Sequence, residues 1–253
     1  FRRVLFRSCS TAGAMNIRNG QWDAELCEVA EIDMTILPQL HNPQDRISIV
    51  TESAAQRAGF SAGTAVYAGI GDAGATTLAS GVSRPGQYNI NIGTSGWIAT
   101  VSPEPFTDKP GAANLAFGVE EGFVNAVPFL NAGDVHKWVT GVFADGDYAE
   151  AHRLIETSEP GSNGVMCLPY LVGERFPVMN PNIRGAYVGL DPDTTKADMM
   201  RAALEGVAFS IRQGMESFDA EPTEISLIGG GARENAWCQI LADVLEHPIE
   251  VFA

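Results

Sequence analysis

The sequence predicts an α/β protein, and three observations carry that expectation. Short runs with strand character alternate with helical patterns along its 253 residues. Glycine-bearing turns stand where those runs meet, at Gly71, at Gly93 to Gly96 and at Gly229 to Gly231. The longest helical pattern, Lys196 to Phe218, sets Met200, Leu204, Val207, Ile211, Met215 and Phe218 on one face. The composition, 45% hydrophobic and 19% charged with 27 Gly and 14 Pro, suits a folded chain rich in turns.

Trp22 to Ile32 carries Trp22, Leu26, Val29 and Ala30 at helical spacing, and Thr51 to Ala58 predicts a short helix capped by Thr51. Ala65 to Ile70 has strand character and ends at Gly71-Asp72, after which Ala73 to Ser80 predicts a small-residue helix. Beyond the turn Arg84-Pro85-Gly86, Gln87 to Ile92 alternates polar and apolar residues, the pattern of a half-buried strand. Gly93-Thr94-Ser95-Gly96 interrupts it and Trp97 to Val101 resumes, which makes a hairpin. Ser102 to Pro181 is proline-rich and reads as loops around one helix, about Asp134 to Phe143. The long helix from Lys196 has Thr195 as cap, with Asp198 placed for a capping box. A strand from Glu224 to Ile228, a glycine triplet, a helix from about Glu234 to Leu245 and a final strand complete the order.

Sixteen Lys+Arg against 31 Asp+Glu give a net charge of −15. Such a surface repels nucleic-acid backbones and anionic headgroups, so neither is expected as a partner. No apolar run reaches the roughly 18 residues that span a bilayer. Cys9, Cys27, Cys167 and Cys238 lie far apart, without the spacing of a zinc site or a disulfide framework, and fit a reducing cytoplasm. Residues 1–8, Phe1 to Ser8, match the translated tail of a common sequencing adapter and are set aside. Both ends read as cut from a longer chain.

Each glycine turn has a plain and a functional reading. Asp72 is either a helix cap or a carboxylate at the C-terminal edge of a sheet, placed to take a proton from an attacking hydroxyl. Gly93-Thr94-Ser95-Gly96 is either an ordinary tight turn or a phosphate cradle of backbone amides and hydroxyls. Gly229-Gly230-Gly231-Ala232 is either a tight connection or a strand-to-helix junction that receives a nucleotide. It is not the dinucleotide fingerprint, and no acidic residue follows at ribose distance. His41, His136, His152 and His247 form no ligand pair in the sequence, and no nucleophile elbow is present.

In this order the three turns resemble the FGGY family of carbohydrate kinases, whose fold is the ribonuclease-H/actin-like ATPase fold. The most specific match is Gly185-Ala186-Tyr187-Val188-Gly189-Leu190, then Asp198-Met199 and Ala202-Ala203-Leu204-Glu205. It agrees with the family's C-terminal signature at every constrained position. Leu168-Pro169-Tyr170, Gly173-Glu174-Arg175 and Pro177 are similar to the preceding segment of xylulokinases and gluconokinases. The resemblance covers Cys9 to Phe252. It implies that residues 9–84 are the C-terminal part of the family's N-terminal lobe and that 85–253 are a truncated C-terminal lobe.

The resemblance also implies roles. Asp72 matches the catalytic base. Gly93, Thr94 and Ser95 match the second phosphate motif, and Gly230, Gly231, Ala232 and Asn235 match the adenosine motif. The implied cofactors are ATP and Mg²⁺, with metal ligands unidentified. The implied reaction transfers the γ-phosphoryl group in line to a hydroxyl of a small-molecule sugar, in a cytoplasmic enzyme for which a homodimer is allowed. Xylulose or a related ketose is favoured and gluconate is the alternative; Ala73, where xylulokinases carry Asn, is a departure that counts against xylulose specifically. The first phosphate loop, Asp-Gly-Thr, is absent, so the chain alone is expected to be inactive. A non-catalytic nucleotide-binding protein on the same fold is the reading from another class, and the carboxylate of Asp72 argues against it.

Overall fold

A computed structural model describes residues 5–6, 13–108, 111–118, 121–218 and 220–252. The segment 1–8, apart from Leu5 and Phe6, lies outside the described residues, as does Cys9. In chain order the first elements are β1 (Leu5–Phe6), β2 (Met15–Asn16), β3 (Gln21–Trp22), α1 (Ala24–Val29), β4 (Leu40–His41), β5 (Arg46–Ile49), α2 (Glu52–Ala58), β6 (Ala65–Tyr67) and α3 (Asp72–Ala79). Strands β1 and β4 pair in parallel, while β2–β3 and β5–β6 are antiparallel.

Helix α2 starts as expected, with the Thr51 hydroxyl accepting the Ala54 amide at 3.3 Å. Helix α1 is shorter than its apolar spacing predicts. The Asp23 carboxylate accepts the Leu26 amide and so starts the helix after Trp22, whose indole donates to the Pro38 carbonyl at 2.8 Å. Leu26 and Val29 are exposed, and Cys27 is the buried residue of α1. Strand β6 likewise stops at Tyr67, short of Ile70.

From Ser80 onward come β7 (Gln87–Ile92), β8 (Gly96–Ser102), β9 (Ala113–Ala116), β10 (Phe123–Phe129), α4 (Gly133–Phe143), α5 (Tyr148–Thr157), β11 (Met166–Leu168), β12 (Ala186–Val188), α6 (Lys196–Glu216), β13 (Glu224–Ile228), α7 (Asn235–Leu245) and β14 (Ile249–Val251). Six strands form one sheet in the order β14-β13-β7-β8-β10-β9. Strand β7 runs parallel to β13, with Ile90 opposite Leu227, and antiparallel to β8, with Ile92 opposite Gly96. Alternating strands and helices make the chain α/β.

The alternation in β7 predicts a half-buried strand, but the successive residues Gln87, Tyr88, Asn89 and Ile90 are all buried, so both of its faces are covered. Neighbours supply hydrogen bonds to its polar residues, although Asn89 Oδ1 is buried without a partner among the described residues. Gln87 donates to the Glu224 carboxylate at 2.6 Å and accepts the Ser83 and Arg84 amides, and Asn89 donates to the Ser226 hydroxyl at 3.3 Å. The proline-rich middle also holds more structure than its composition suggests. Helix α5 is capped by Asp147, which accepts the Ala149 and Glu150 amides, and it buries Ala151, Leu154 and Ile155.

Helix α6, 21 residues long, is the axis of the core. Its capping box closes in both directions: Thr195 accepts the Asp198 amide at 3.2 Å, and Asp198 accepts the Thr195 amide at 2.9 Å. Met200, Leu204, Val207, Ile211, Met215 and Phe218 are all buried. The chain divides into two compact units, one of Phe1–Ala79, Ser102–Phe106 and Asn114–Asn125 and the other of Ser80–Val101, Thr107–Ala113 and Ala126–Ala253. Among the described residues no helix is long and apolar enough to cross a membrane.

Candidate functional site

Within the second unit, glycines let three backbone segments meet at Ile92–Thr94. The β7–β8 hairpin turns tightly at Gly93-Thr94-Ser95, with the Gly93 amide donating to the Ser95 carbonyl at 2.9 Å. The carbonyls of Gly93 and Thr94 accept the amides of Gly133 and Asp134, at 2.9 and 3.1 Å, so the start of α4 is seated on the hairpin tip. A Cβ on Gly133 would stand 2.2 Å from the Gly93 oxygen. After β13, Gly229 takes a φ of 92° that favours glycine, and a Cβ there would lie 2.6 Å from the Ile92 oxygen. A 3₁₀ turn, Gly230–Arg233, then leads to α7.

These segments and the first half of α5 border a cavity of about 810 Å³. Gly93, Thr94, Gly230, Gly231 and Asn235 line it, joined by Gly133 and Lys137 of α4 and by Tyr148 and His152 of α5. Ser95 and Ala232 do not. Ser95 closes the hairpin tip through its carbonyl, and Ala232 is buried, its own carbonyl accepting the Cys238 thiol at 3.5 Å. The junction differs from the expected one in a further way. At the N-terminus of α7 the Glu234 carboxylate accepts the Ala236 amide at 3.1 Å, so an anion of the protein itself stands at this helix end, which lines the cavity together with the glycine turn.

The aromatic part of the wall is tightly built. His136 is 6% exposed and stands edge-on to Tyr148 and Trp237, with ring centroids 5.4 and 5.5 Å away. Its Nε2 has no hydrogen-bond partner among the described residues. Burial lowers its pKa and so favours the neutral imidazole, while the charge of Glu234 opposes that shift. His152 behaves in the opposite way. Its Nδ1 lies 2.6 Å from Glu234, and that hydrogen bond raises its pKa.

Asp72 belongs to the first unit. It is exposed, and it is the first residue of α3 rather than the capping residue before it; its carboxylate accepts the Ala73 amide at 2.8 Å. That unit has a cavity of its own, about 590 Å³, lined by Arg18, Asn42, Gln44 and Glu104 among others and by none of the residues singled out in the sequence. Among the described residues no three His, Cys, Asp or Glu side chains gather as a metal site.

The signature segment is scaffolding. Asp198 accepts the Ser158 hydroxyl at 2.6 Å and the Asn163 amide group at 2.7 Å. Glu205 accepts the Gly161 amide, the Ser162 hydroxyl and the Arg201 guanidinium, at 3.0, 2.9 and 2.8 Å. Gly189 allows the chain to pass Gly164, whose carbonyl would stand 2.4 Å from a Cβ there. None of these residues lines the cavity. Conversely, Gly133, Lys137, Tyr148, His152 and Glu234 line it without having been singled out. Ala132-Gly133-Asp134 at a helix start was the available signal for the α4 members, and Asp145-Gly146-Asp147 for α5.

Comparison with known proteins bears on this arrangement. A family model described as the FGGY family of carbohydrate kinases, C-terminal domain, matches residues 88–253, and the N-terminal domain of the same family matches residues 6–79. A gluconokinase of Bacillus subtilis is 31% identical over 98% of the chain and 51% of its own length. A xylulose kinase of Staphylococcus xylosus is 32% identical over 92% of the chain and 50% of its own length. The crystal structure of a ligand-bound xylulose kinase from Lactobacillus acidophilus superposes with a TM-score of 0.91 at 25% identity, over 98% of the chain and 52% of that protein. The chain thus spans about half the length of the relatives it matches. Its fold is that of the actin-like ATPases, as the signature implied.

Proposed function

Because the chain belongs to the FGGY family of carbohydrate kinases, we propose that it is part of an enzyme transferring the γ-phosphoryl group of ATP to a sugar hydroxyl. The observation that supports this most directly is the cavity where Thr94, Gly133, Gly230, Gly231 and Asn235 meet. Backbone approaches leave no room for a Cβ at Gly133 or Gly229, and the Ile92 side chain leaves none at Gly231, which keeps main-chain groups at the wall, as suits a ligand read by them. In this reading residues 9–84 are the end of the N-terminal lobe and 85–253 the C-terminal lobe.

Thr94 and the glycine backbones hold the phosphates, and Asn235 faces the nucleoside. Asp72 accepts the proton of the sugar hydroxyl as its oxygen bonds to the γ-phosphorus, while the bond from that phosphorus to the β–γ bridging oxygen breaks and ADP leaves. Mg²⁺ bound to the nucleotide would neutralise the charge of its phosphates beside Thr94 and the glycine turns. Both a ketose such as xylulose and gluconate remain acceptors, because the xylulose kinase and gluconokinase relatives are 32% and 31% identical. The test is a coupled assay of ADP release by the whole enzyme with xylulose, other ketoses and gluconate. Turnover with none of them would overturn the reading.

A further inference from the structure

Glu234 ties together three parts of the cavity wall. Its amide closes the 3₁₀ turn on the Gly231 carbonyl at 3.2 Å. Its carboxylate accepts the Ala236 amide at the start of α7 and, through the same Oε1, meets Nδ1 of His152 on α5 at 2.6 Å. The Glu234 side chain is only 10% exposed, so water does little to stabilise its charge. With a nucleotide as the occupant of the cavity, as proposed above, we infer that His152 is a positioning residue: in its protonated form it holds Glu234 and the Gly230–Gly231 turn ready for the anion and cancels the negative charge beside it.

A polyphosphate entering beside an uncompensated Glu234 meets like charge in a partly dry wall. The imidazolium removes that repulsion by reaching Glu234 through Nδ1 and Glu156 of its own helix through Nε2, the latter at 3.4 Å. The neutral imidazole keeps the Nδ1–H bond but loses the charge. Around it, α4 contributes Asp134, His136 and Lys137 to the same wall and the turn contributes Arg233, while Cys238 of α7, outside the wall, feels the charge of Glu234. Burial lowers the pKa of His136, away from that of His152, which the Glu234 hydrogen bond shifts upward, and burial also raises that of the Cys238 thiol. The sign follows: the charged pair persists above the ordinary histidine range and is lost as pH rises through the raised value, and nucleotide affinity falls with it.

The experiment measures dissociation constants for ATP and ADP with the 253-residue chain between about pH 6 and about pH 8.5, the range in which histidine loses its charge. Wild type is compared with His152→Asn, which keeps an N–H near the Nδ1 position without a charge, and with His152→Ala. Circular dichroism checks the folding of each. Wild-type affinity is expected to fall about threefold to tenfold over that span relative to His152→Asn, and His152→Ala to bind more weakly than either at low pH. By reciprocity, nucleotide raises the titration midpoint of the His152 ring proton in NMR. A folded His152→Asn with the wild-type pH slope, or a folded His152→Ala with wild-type affinity, would overturn the role. If wild type binds neither nucleotide at any pH, the nucleotide reading itself fails and this role fails with it.

Discussion

The carbonyl oxygen of Gly93 accepts the amide of Gly133 at 2.9 Å, and a Cβ on Gly133 would stand 2.2 Å from that same oxygen. The hairpin tip therefore docks on α4 only because position 133 has no side chain. Gly133→Ala puts a methyl group against a backbone atom that cannot rotate away. The expected cost is about 1–3 kcal/mol of stability, the range for overpacking a well-filled site, read as a lowered urea midpoint with unchanged slope. Nucleotide binding should weaken as well, since the tip and the start of α4 both line the cavity.

Thr94 stands exposed on that tip and lines the cavity. If its hydroxyl meets a phosphate, Thr94→Ala should weaken ATP binding by roughly twofold to tenfold, the net worth of one hydrogen bond, and leave adenosine binding unchanged. Calorimetric titration with both ligands separates the outcomes. Equal losses for ATP and adenosine would remove the phosphate assignment.

Asp72→Asn in the whole enzyme keeps the shape of the side chain and removes the proton acceptor. The turnover number should fall about 10²–10⁴-fold, with ATP affinity little changed. Steady-state kinetics with the accepted sugar checks it; near-normal turnover would leave Asp72 as no more than the first residue of α3.

Asp198 offers a prediction about pH. Burial pushes its carboxyl up, but hydrogen bonds from Ser158, Thr195 and Asn163 outweigh burial and hold its pKa at about 2, below the ordinary 3.8. The stabilisation is complete above the ordinary value and is lost as pH falls through the depressed one. Asp198→Asn should cost about 2–4 kcal/mol at neutral pH, because the NH2 that replaces one carboxylate oxygen faces donors it cannot accept from. Urea unfolding of both proteins should show that difference shrinking below pH 3.8. A difference that persists at the acid end would mean that packing, not charge, dominates at this position.

Legibility in the sequence followed the range of the interaction. Helix α6 was readable because its apolar positions, its cap at Thr195 and its Asp198 partner all lie within one window. Strands β7 and β13 and the turns after them were readable for the same reason, and so was α2. Helix α5 was hidden by the prolines around it, although Asp147 caps it locally. Leu26 and Val29 misled in the other direction, since helical spacing records a pattern but not whether anything covers it.

By itself, then, the sequence determined the α/β order, the three glycine turns and a signature specific enough to name a family, all of them properties of short windows. Only the tertiary structure decided what those pieces do for one another. It seated Gly133 on Gly93, paired His152 with Glu234 across 82 residues of chain, and turned Asp198 and Glu205 into struts for residues 158–163 instead of cavity residues. Such contacts depend on sheet register and on how closely glycine lets two backbones approach, and those distances are set between segments that no local pattern connects.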